Sequence, residues 1–460
     1  MREFFESRIN KLRQSLFFRR VGILLGGTAL AQLLTIASLP ILTRLYSPAD
    51  FEFLAVFVSL LGVLSVVASM RLEVAIPIAE TDEEGMNLLA AALIFCLLIS
   101  GGIAICVWLQ GDRFTSLIRQ PQLSPFLWML PIGVFLSATN TVAIYWATRK
   151  QHFRTIAKAR VSQVFVGVSV QILLGVTSFF SSFGLLFGQM ISSGGGGIGV
   201  IKAIWSQDRQ AVKSIRFAKM GASVKKFSDL PKFGAAESLI NTAAAQLPMI
   251  IIAAMAVGPE AGYLMLAIRV AMLPMGLLGG AIGQVYLSEA SRTDKSTGLS
   301  NLTLGVIKKL IKIGVGPIVF LGVISPALFP IVFGREWARA GTIVLWLVPW
   351  FCFQFVASPI SMIMHITHQQ RKMLKLASVG FLLRLSLLLI VASYTRELFS
   401  EMYAISGALF YFICLIVFAR AASVSGREMK NLAKSASLHV ILGGGSGAVF
   451  FFVLHSWSGQ

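Results

Sequence analysis

Two arginines, one glutamate and a handful of amides stand inside stretches that are otherwise apolar, and these are the residues equipped for chemistry. The richest stretch is 231–291, where two apolar runs, about 233–256 and 261–287, flank a tight Gly258-Pro259 turn. The first run carries Glu237, Asn241 and Gln246, and the second carries Arg269 and Gln284. Asn140 and Arg384 are embedded in the same way in other runs. Each run reaches the roughly 20 residues needed to cross a bilayer core. An arginine near mid-membrane costs about 2.5–3.5 kcal/mol on the insertion scale, so it normally faces protein or a wet cavity. Few internal acids are available to pair with Arg269 and Arg384. That suits a cationic aqueous cavity for an anionic substrate; the alternative is that they bond polar side chains or kinked carbonyls and fix the packing.

Enzyme chemistry finds no support. The chain has no Gly-rich phosphate loop after a strand, no HExxH and no GxSxG. Cys96, Cys106, Cys352 and Cys414 all fall in apolar runs, where thiols act as small hydrophobes, and they form no disulfide or metal pattern. His365 and His368 have an i,i+3 spacing that could ligate a metal, but no carboxylate or Cys lies nearby, which favours interface histidines. No metal and no cofactor is expected.

The elements that must position these groups follow from composition. Of 460 residues, 56% are hydrophobic and 13% charged, against about 25% charged in soluble domains. The apolar residues come in blocks of about 20, so the chain reads as an all-α, polytopic transmembrane bundle. The formal charge of +20 follows the membrane rather than a nucleic acid. With Met1 in the cytoplasm and sides alternating, 32 of the 40 Lys and Arg fall in cytoplasmic segments. Six are external (Arg44, Arg113, Arg119, Arg335, Arg339 and Arg396), and Arg269 and Arg384 lie within spans. That asymmetry obeys the positive-inside rule. The first apolar run is full length without a small-residue cleavage pattern, so it is expected to act as its own signal.

The chain repeats itself. Tyr46-Ser47-Pro48-Ala49-Asp50-Phe51-Glu52-Phe53-Leu54 sits between two apolar runs, as Val257-Gly258-Pro259-Glu260-Ala261-Gly262-Tyr263-Leu264 does. Thr148-Arg149-Lys150-Gln151 and Thr367-His368-Gln369-Gln370 form a second echo at nearly the same offset. A duplicated unit of several helices is the architecture expected of many secondary transporters. The expected organisation is an amphipathic surface segment at 1–20, a six-helix half at 21–204, a basic cytoplasmic linker at 205–232, and a second six-helix half at 233–420. A basic loop and an extra apolar helix then fill 421–460, with 437–456 counted as a thirteenth span. The linker together with Lys202 holds eight Lys or Arg, a composition that attracts anionic headgroups.

Local signals add detail. Thr81-Asp82-Glu83-Glu84 matches a capping box, so this acidic run reads as a helix start rather than a metal site. Arg71 and Glu73 sit near the cytoplasmic interface, where an ion pair or snorkelling competes with a gating role. Four consecutive glycines, 194–197, interrupt the sixth span and read as close helix packing or, alternatively, a hinge.

Several motifs in order resemble the bacterial polysaccharide-biosynthesis flippases of the multidrug/oligosaccharidyl-lipid/polysaccharide exporter superfamily. They are Leu42-Thr43-Arg44-Leu45-Tyr46-Ser47-Pro48-Ala49-Asp50-Phe51, Arg71-Leu72-Glu73-Val74-Ala75-Ile76-Pro77, and Ser238-Leu239-Ile240-Asn241 leading to Gln246-Leu247-Pro248. Gly262-Tyr263 and Ala267-Ile268-Arg269-Val270 through Pro274 complete the set. The likeness spans roughly 20–425. Phe51-Glu52-Phe53 departs from the Phe-Gly expected there, and no functional change is read into that.

The resemblance implies two six-helix halves around a central, often cationic cavity. It implies alternating access that carries an undecaprenyl-pyrophosphate-linked glycan from the cytoplasmic to the periplasmic leaflet of the inner membrane. Arg269 and Arg384 would then attract the pyrophosphate or acidic sugars, and Asn140, Asn241, Gln246 and Gln284 would bond sugar hydroxyls. Glu237 becomes a candidate group for coupling to H+ or Na+, or else a helix-start acid near the positive dipole end. Arg71 and Glu73 become gating candidates. Membrane lipids, a polysaccharide polymerase and chain-length machinery are the partners implied. A small-drug exporter of the same fold would be expected to carry an acidic ion-binding residue in the first span, and there is none. A membrane glycan polymerase would need a larger external loop than any present.

Overall fold

Helix starts and stops are written locally, and the structure uses the signals just described. The computed structural model describes residues 2–177, 181–272, 275, 282–283, 286, 289–290, 297–367 and 369–458. Among these the chain is helical and forms no strand. The helices are α1 Arg2–Leu45, α2 Pro48–Ala68, α3 Asp82–Leu117, α4 Met129–Arg149, α5 Phe153–Val176, α6 Ser181–Gln207, α7 Arg209–Lys213 and α8 Phe217–Lys226. They continue with α9 Ala235–Met255, α10 Glu260–Ala271, α11 Thr297–Leu310, α12 Gly316–Phe333, α13 Ala338–Ile360, α14 Gln370–Tyr394, α15 Phe399–Ala421 and α16 Gly426–Ser458.

Caps explain several of these boundaries. Ser47 precedes α2, and its N–H and hydroxyl donate to Asp50 Oδ2 at 2.9 and 2.8 Å, closing a capping box. The Thr81 reading holds: Glu84 N–H donates to Thr81 Oγ1 at 3.1 Å. The reciprocal bond comes from Glu80 N–H, at 2.8 Å to Glu84 Oε2, one residue earlier than the simple box would have it. Ser425 and Glu428 repeat the device at the start of α16.

Among the described residues, eleven helical segments are long and apolar enough to cross a membrane. The sequence reading expected twelve or thirteen, and two regions account for the difference. The predicted span at 261–287 begins as α10, but most of it beyond 272 lies outside the described residues. The predicted thirteenth span is contained in α16, whose first turns carry Arg427, Lys430 and Lys434, and it is not among the eleven. The N-terminal amphipathic segment continues into the first span as one 44-residue helix.

The chain divides into two compact units. The first comprises Met1–Tyr46 and Val56–Leu247, and the second comprises Ser47–Ala55 and Pro248–Gln460. In the first unit the four-glycine run is a packing device. A Cβ on Gly194 would stand 2.2 Å from Leu136 Cβ, and one on Gly197 would stand 2.9 Å from Asn140 Cα. Helix α6 thus lies against α4 at a distance that only glycine permits, since side-chain carbons do not approach so closely. Tyr46 closes the same unit: its hydroxyl donates to Gln171 O at 2.6 Å, while Gln171 Nε2 donates to Leu185 O at 3.1 Å.

In the second unit the two segments that echo each other in sequence touch. A Cβ on Gly262 would lie 2.1 Å from Pro48 O and 2.9 Å from Glu52 N, so the starts of α10 and α2 meet backbone to backbone. Phe51 and Tyr263 both meet Trp337 edge-on, with ring centroids at 4.8 and 6.0 Å. Such T-shaped pairs contribute about 0.5–1.5 kcal/mol beyond burial.

Candidate functional site

Arg384 sits on α14 in an aromatic cage. Its Cζ lies 5.2 Å from the Trp350 ring of α13, and 5.9 and 5.3 Å from the Tyr403 and Phe410 rings of α15. These are cation–π distances, worth about 2 kcal/mol or more where the cation is desolvated. Two glycines make room for the cage. A Cβ on Gly407 would fall 2.1 Å from the Trp350 ring, and one on Gly380 would fall 2.3 Å from Phe410. Within this cluster Arg384 Nε, Trp350 Nε1 and, one turn along α13, Gln354 Oε1 are buried without a hydrogen-bond partner among the described residues. Orphaned buried polar atoms cost about 1–3 kcal/mol each, so a group of them marks a place that an added ligand or water would stabilise.

The other predicted residues distribute unevenly. Arg269 is half-buried on α10 in the same unit as Arg384. Asn140, Asn241, Gln246, Glu237, Arg71 and Glu73 all belong to the first unit. Asn140 is buried where α4 meets the glycine run, and its Oδ1 has no partner among the described residues. Glu237 and Asn241 are exposed on one face of α9, with Glu237 in the first turn, where the helix dipole favours a carboxylate. Gln246 Nε2 approaches Gly62 of α2. Gln284 lies outside the described residues, as does His368.

Arg71 and Glu73 form the expected ion pair, at 3.2 Å, and Ser69 Oγ donates to the other carboxylate oxygen of Glu73 at 2.5 Å. They open a short 3-10 helix, Leu72–Ile78, entered through left-handed backbone at Met70 and Arg71. Such φ values cost a non-glycine residue roughly 1 kcal/mol or more, so the motif needs an anchor. Arg149 supplies it. Its guanidinium donates to the carbonyls of Ile76, Pro77 and Ala79 at 3.0, 3.4 and 2.7 Å, and to Asp82 Oδ1 at 3.0 Å. The sequence shows Arg149 only as part of the Thr148–Gln151 echo, because nothing local links it to carbonyls some 70 positions away. Arg149→Ala is expected to destabilise the first unit by about 2–3 kcal/mol, read as a lower apparent Tm in detergent. Arg149→Lys should recover only part of that, since an ammonium lacks the planar fork.

The start of α3 also gathers the basic linker. Lys226 of α8 pairs with Glu80 and Glu84 at 2.9 and 2.8 Å, and Lys219 pairs with Glu83. The two carboxylates hold the Lys226 ammonium above its ordinary range. Asn87 ties down the preceding turn, donating to Ser214 O and accepting from Arg216 N–H.

A buried ionic cluster in the second unit was not legible beforehand. Arg339 Nη2 lies 2.8 Å from Glu260 Oε1, and its Nη1 lies 2.7 Å from Glu401 Oε1. Both carboxylates are about 95% buried. The sequence placed Arg339 in an external segment and singled out Glu237 as the acid inside an apolar run.

Eleven apolar helical segments among the described residues, in an all-helical chain, make this a multi-pass membrane protein. A family model described as polysaccharide biosynthesis protein matches residues 41–342, and the chain belongs to that family. The succinoglycan biosynthesis transport protein ExoT of Rhizobium meliloti (strain 1021) is 23% identical over 316 residues. That match covers 67% of this chain and 60% of the relative, so the chain spans less than two thirds of the relative's length. Among solved structures, the lipid II flippase MurJ in an inward closed conformation is similar at TM-score 0.68 and 14% identity, covering 94% of this chain and 99% of that one. An inward-facing multidrug resistance transporter of the MATE family is similar at TM-score 0.64 and 16% identity, over 85% and 94%. At these identities the likeness is one of fold.

Proposed function

We propose that this chain is a flippase that carries undecaprenyl-pyrophosphate-linked oligosaccharide units from the cytoplasmic to the periplasmic leaflet of the inner membrane, for surface or exopolysaccharide synthesis. The observation that carries this reading is the family match over residues 41–342, on a fold shared with a lipid II flippase. The N-terminus is cytoplasmic, as the Lys and Arg asymmetry favours. Transport proceeds by alternating access through a cationic cavity. Arg384 and Arg269 meet the pyrophosphate or acidic sugars, and Asn140, Asn241, Gln246 and Gln284 serve sugar hydroxyls. Glu237 couples movement to H+ or Na+, with the Arg71–Glu73 pair as a gating element. The polymerase and chain-length machinery of the same pathway are its partners.

The test compares lipid extracts from wild-type and deletion cells. Translocation predicts that a lipid-pyrophosphate-linked oligosaccharide accumulates on the cytoplasmic side while surface polymer disappears. New sensitivity to cationic drugs without accumulation would instead indicate a small-molecule exporter. Unpolymerised units accumulating outside would indicate a polymerase.

A further inference from the structure

The cytoplasm-assigned end of the first unit holds two adjoining cavities of opposite character. One, of about 190 Å³, is lined by α3, α4, α6 and α7 and is almost wholly apolar, with Leu89, Leu93, Val142 and Ile201 among its walls. The other, of about 420 Å³, is lined by Lys202, Trp205, Ser206, Arg209, Val212 and Lys213. Trp205 and Val212 line both, so the apolar slot opens beside a ring of three cations.

Those cations are not neutralised. Asp208 is the only acid between Lys202 and Lys213. It is engaged elsewhere, accepting from Trp146 Nε1 at 2.9 Å and standing 3.7 Å from Lys150. Among the described residues, Lys202, Arg209 and Lys213 form no ion pair, and all three are exposed. Trp205 is 66% exposed between the two cavities. An exposed indole at the end of a span belongs at the headgroup level of a bilayer, with its ring in the apolar layer and its N–H toward the polar one. The slot contributes one further sign: Thr139, in its wall, has a buried hydroxyl oxygen without a partner among the described residues.

We propose that this composite pocket holds a bilayer phospholipid with an anionic headgroup, its phosphate among Lys202, Arg209 and Lys213 and an acyl chain in the slot between α3, α4 and α6. The occupant is a resident lipid rather than the glycolipid cargo. The apolar wall offers Thr139 alone as a polar side chain, and the basic mouth offers Ser206 alone as a neutral polar one, so sugar hydroxyls would find almost no partners. The proposal is independent of what the protein transports. Bound there, the lipid ties α6 and α7 to α3 and α4.

The experiment uses the purified full-length protein, stripped of lipid in detergent. Phosphatidylglycerol, phosphatidylcholine, undecaprenyl pyrophosphate or inorganic pyrophosphate is added, and bound lipid is counted by native mass spectrometry beside the apparent Tm. Phosphatidylglycerol is expected to be retained and to raise the Tm of the wild type more than phosphatidylcholine does. The combined Lys202→Gln, Arg209→Gln, Lys213→Gln variant should bind it roughly ten- to a hundredfold more weakly, as loss of three surface cations implies. Ala90→Phe, which fills the slot without altering charge, should lose retention as well. Because the charge variant alters only exposed side chains, its fold is checked by an unchanged elution profile. Equal binding of phosphatidylcholine, an equal effect of inorganic pyrophosphate, or retention of undecaprenyl pyrophosphate alone would each overturn the assignment.

Discussion

Arg339→Met is expected to lower the stability of the second unit by about 3–5 kcal/mol, because it leaves two buried carboxylates without their cation. In the native chain one guanidinium serves Glu260 at the start of α10 and Glu401 at the start of α15, and Nη2 also donates to Glu397 O at 3.2 Å. Glu260 takes a two-point contact, with Nε at 3.3 Å and Nη2 at 2.8 Å. Planar recognition of this kind is Arg chemistry, so Arg339→Lys should recover little. The measurement is the apparent Tm of each variant in one detergent. Adding Glu260→Gln and Glu401→Gln to the Arg339→Met variant removes the uncompensated charge and should restore most of the loss. A single variant that melts with the wild type would show that the cluster carries no net stabilisation.

The same cluster shows where sequence reading stops. The membrane-spanning helices were legible because 20-residue apolar blocks have one economical interpretation, and the Thr81 cap was legible because its chemistry lies within four residues. Arg339, Glu260 and Glu401 are separated by up to 141 positions, and each taken alone looks like an ordinary charge beside a span. Arg149 was hidden for the same reason. Its partners are backbone carbonyls at the end of a short 3-10 helix, and carbonyls leave no mark in a sequence. The Gly194–Gly197 run announced something unusual, yet periodicity could not choose between a hinge and a tight crossing; the 2.2 Å that would separate a Gly194 Cβ from Leu136 makes it a crossing. Arg384 was singled out from its place in an apolar run, whereas its cage was not. Trp350, Tyr403 and Phe410 lie on two other helices and read individually as core aromatics.

That cage makes Arg384 the residue at which charge and packing must be separated, and the expected result is a loss of polymer export of tenfold or more in Arg384→Met at unchanged membrane abundance. Methionine keeps a shorter unbranched apolar chain against the rings and removes the charge together with the planar donor group. If the guanidinium serves packing alone, its cation–π contacts are worth about 2 kcal/mol, and their loss should appear in the Tm while export per folded molecule stays level. If it also meets the anionic head of the cargo, export per folded molecule should fall beyond what the change in Tm accounts for. Arg384→Lys then becomes the sharper comparison. Lysine keeps the positive charge but not the planar group that lies over three rings with a buried, unpartnered Nε. Partial export by the lysine variant, none by the methionine variant and similar melting of both would tie transport to the cation itself. Normal export by the methionine variant at equal abundance would remove Arg384 from the transport path and leave Arg269 as the remaining arginine on which the cationic-cavity reading rests.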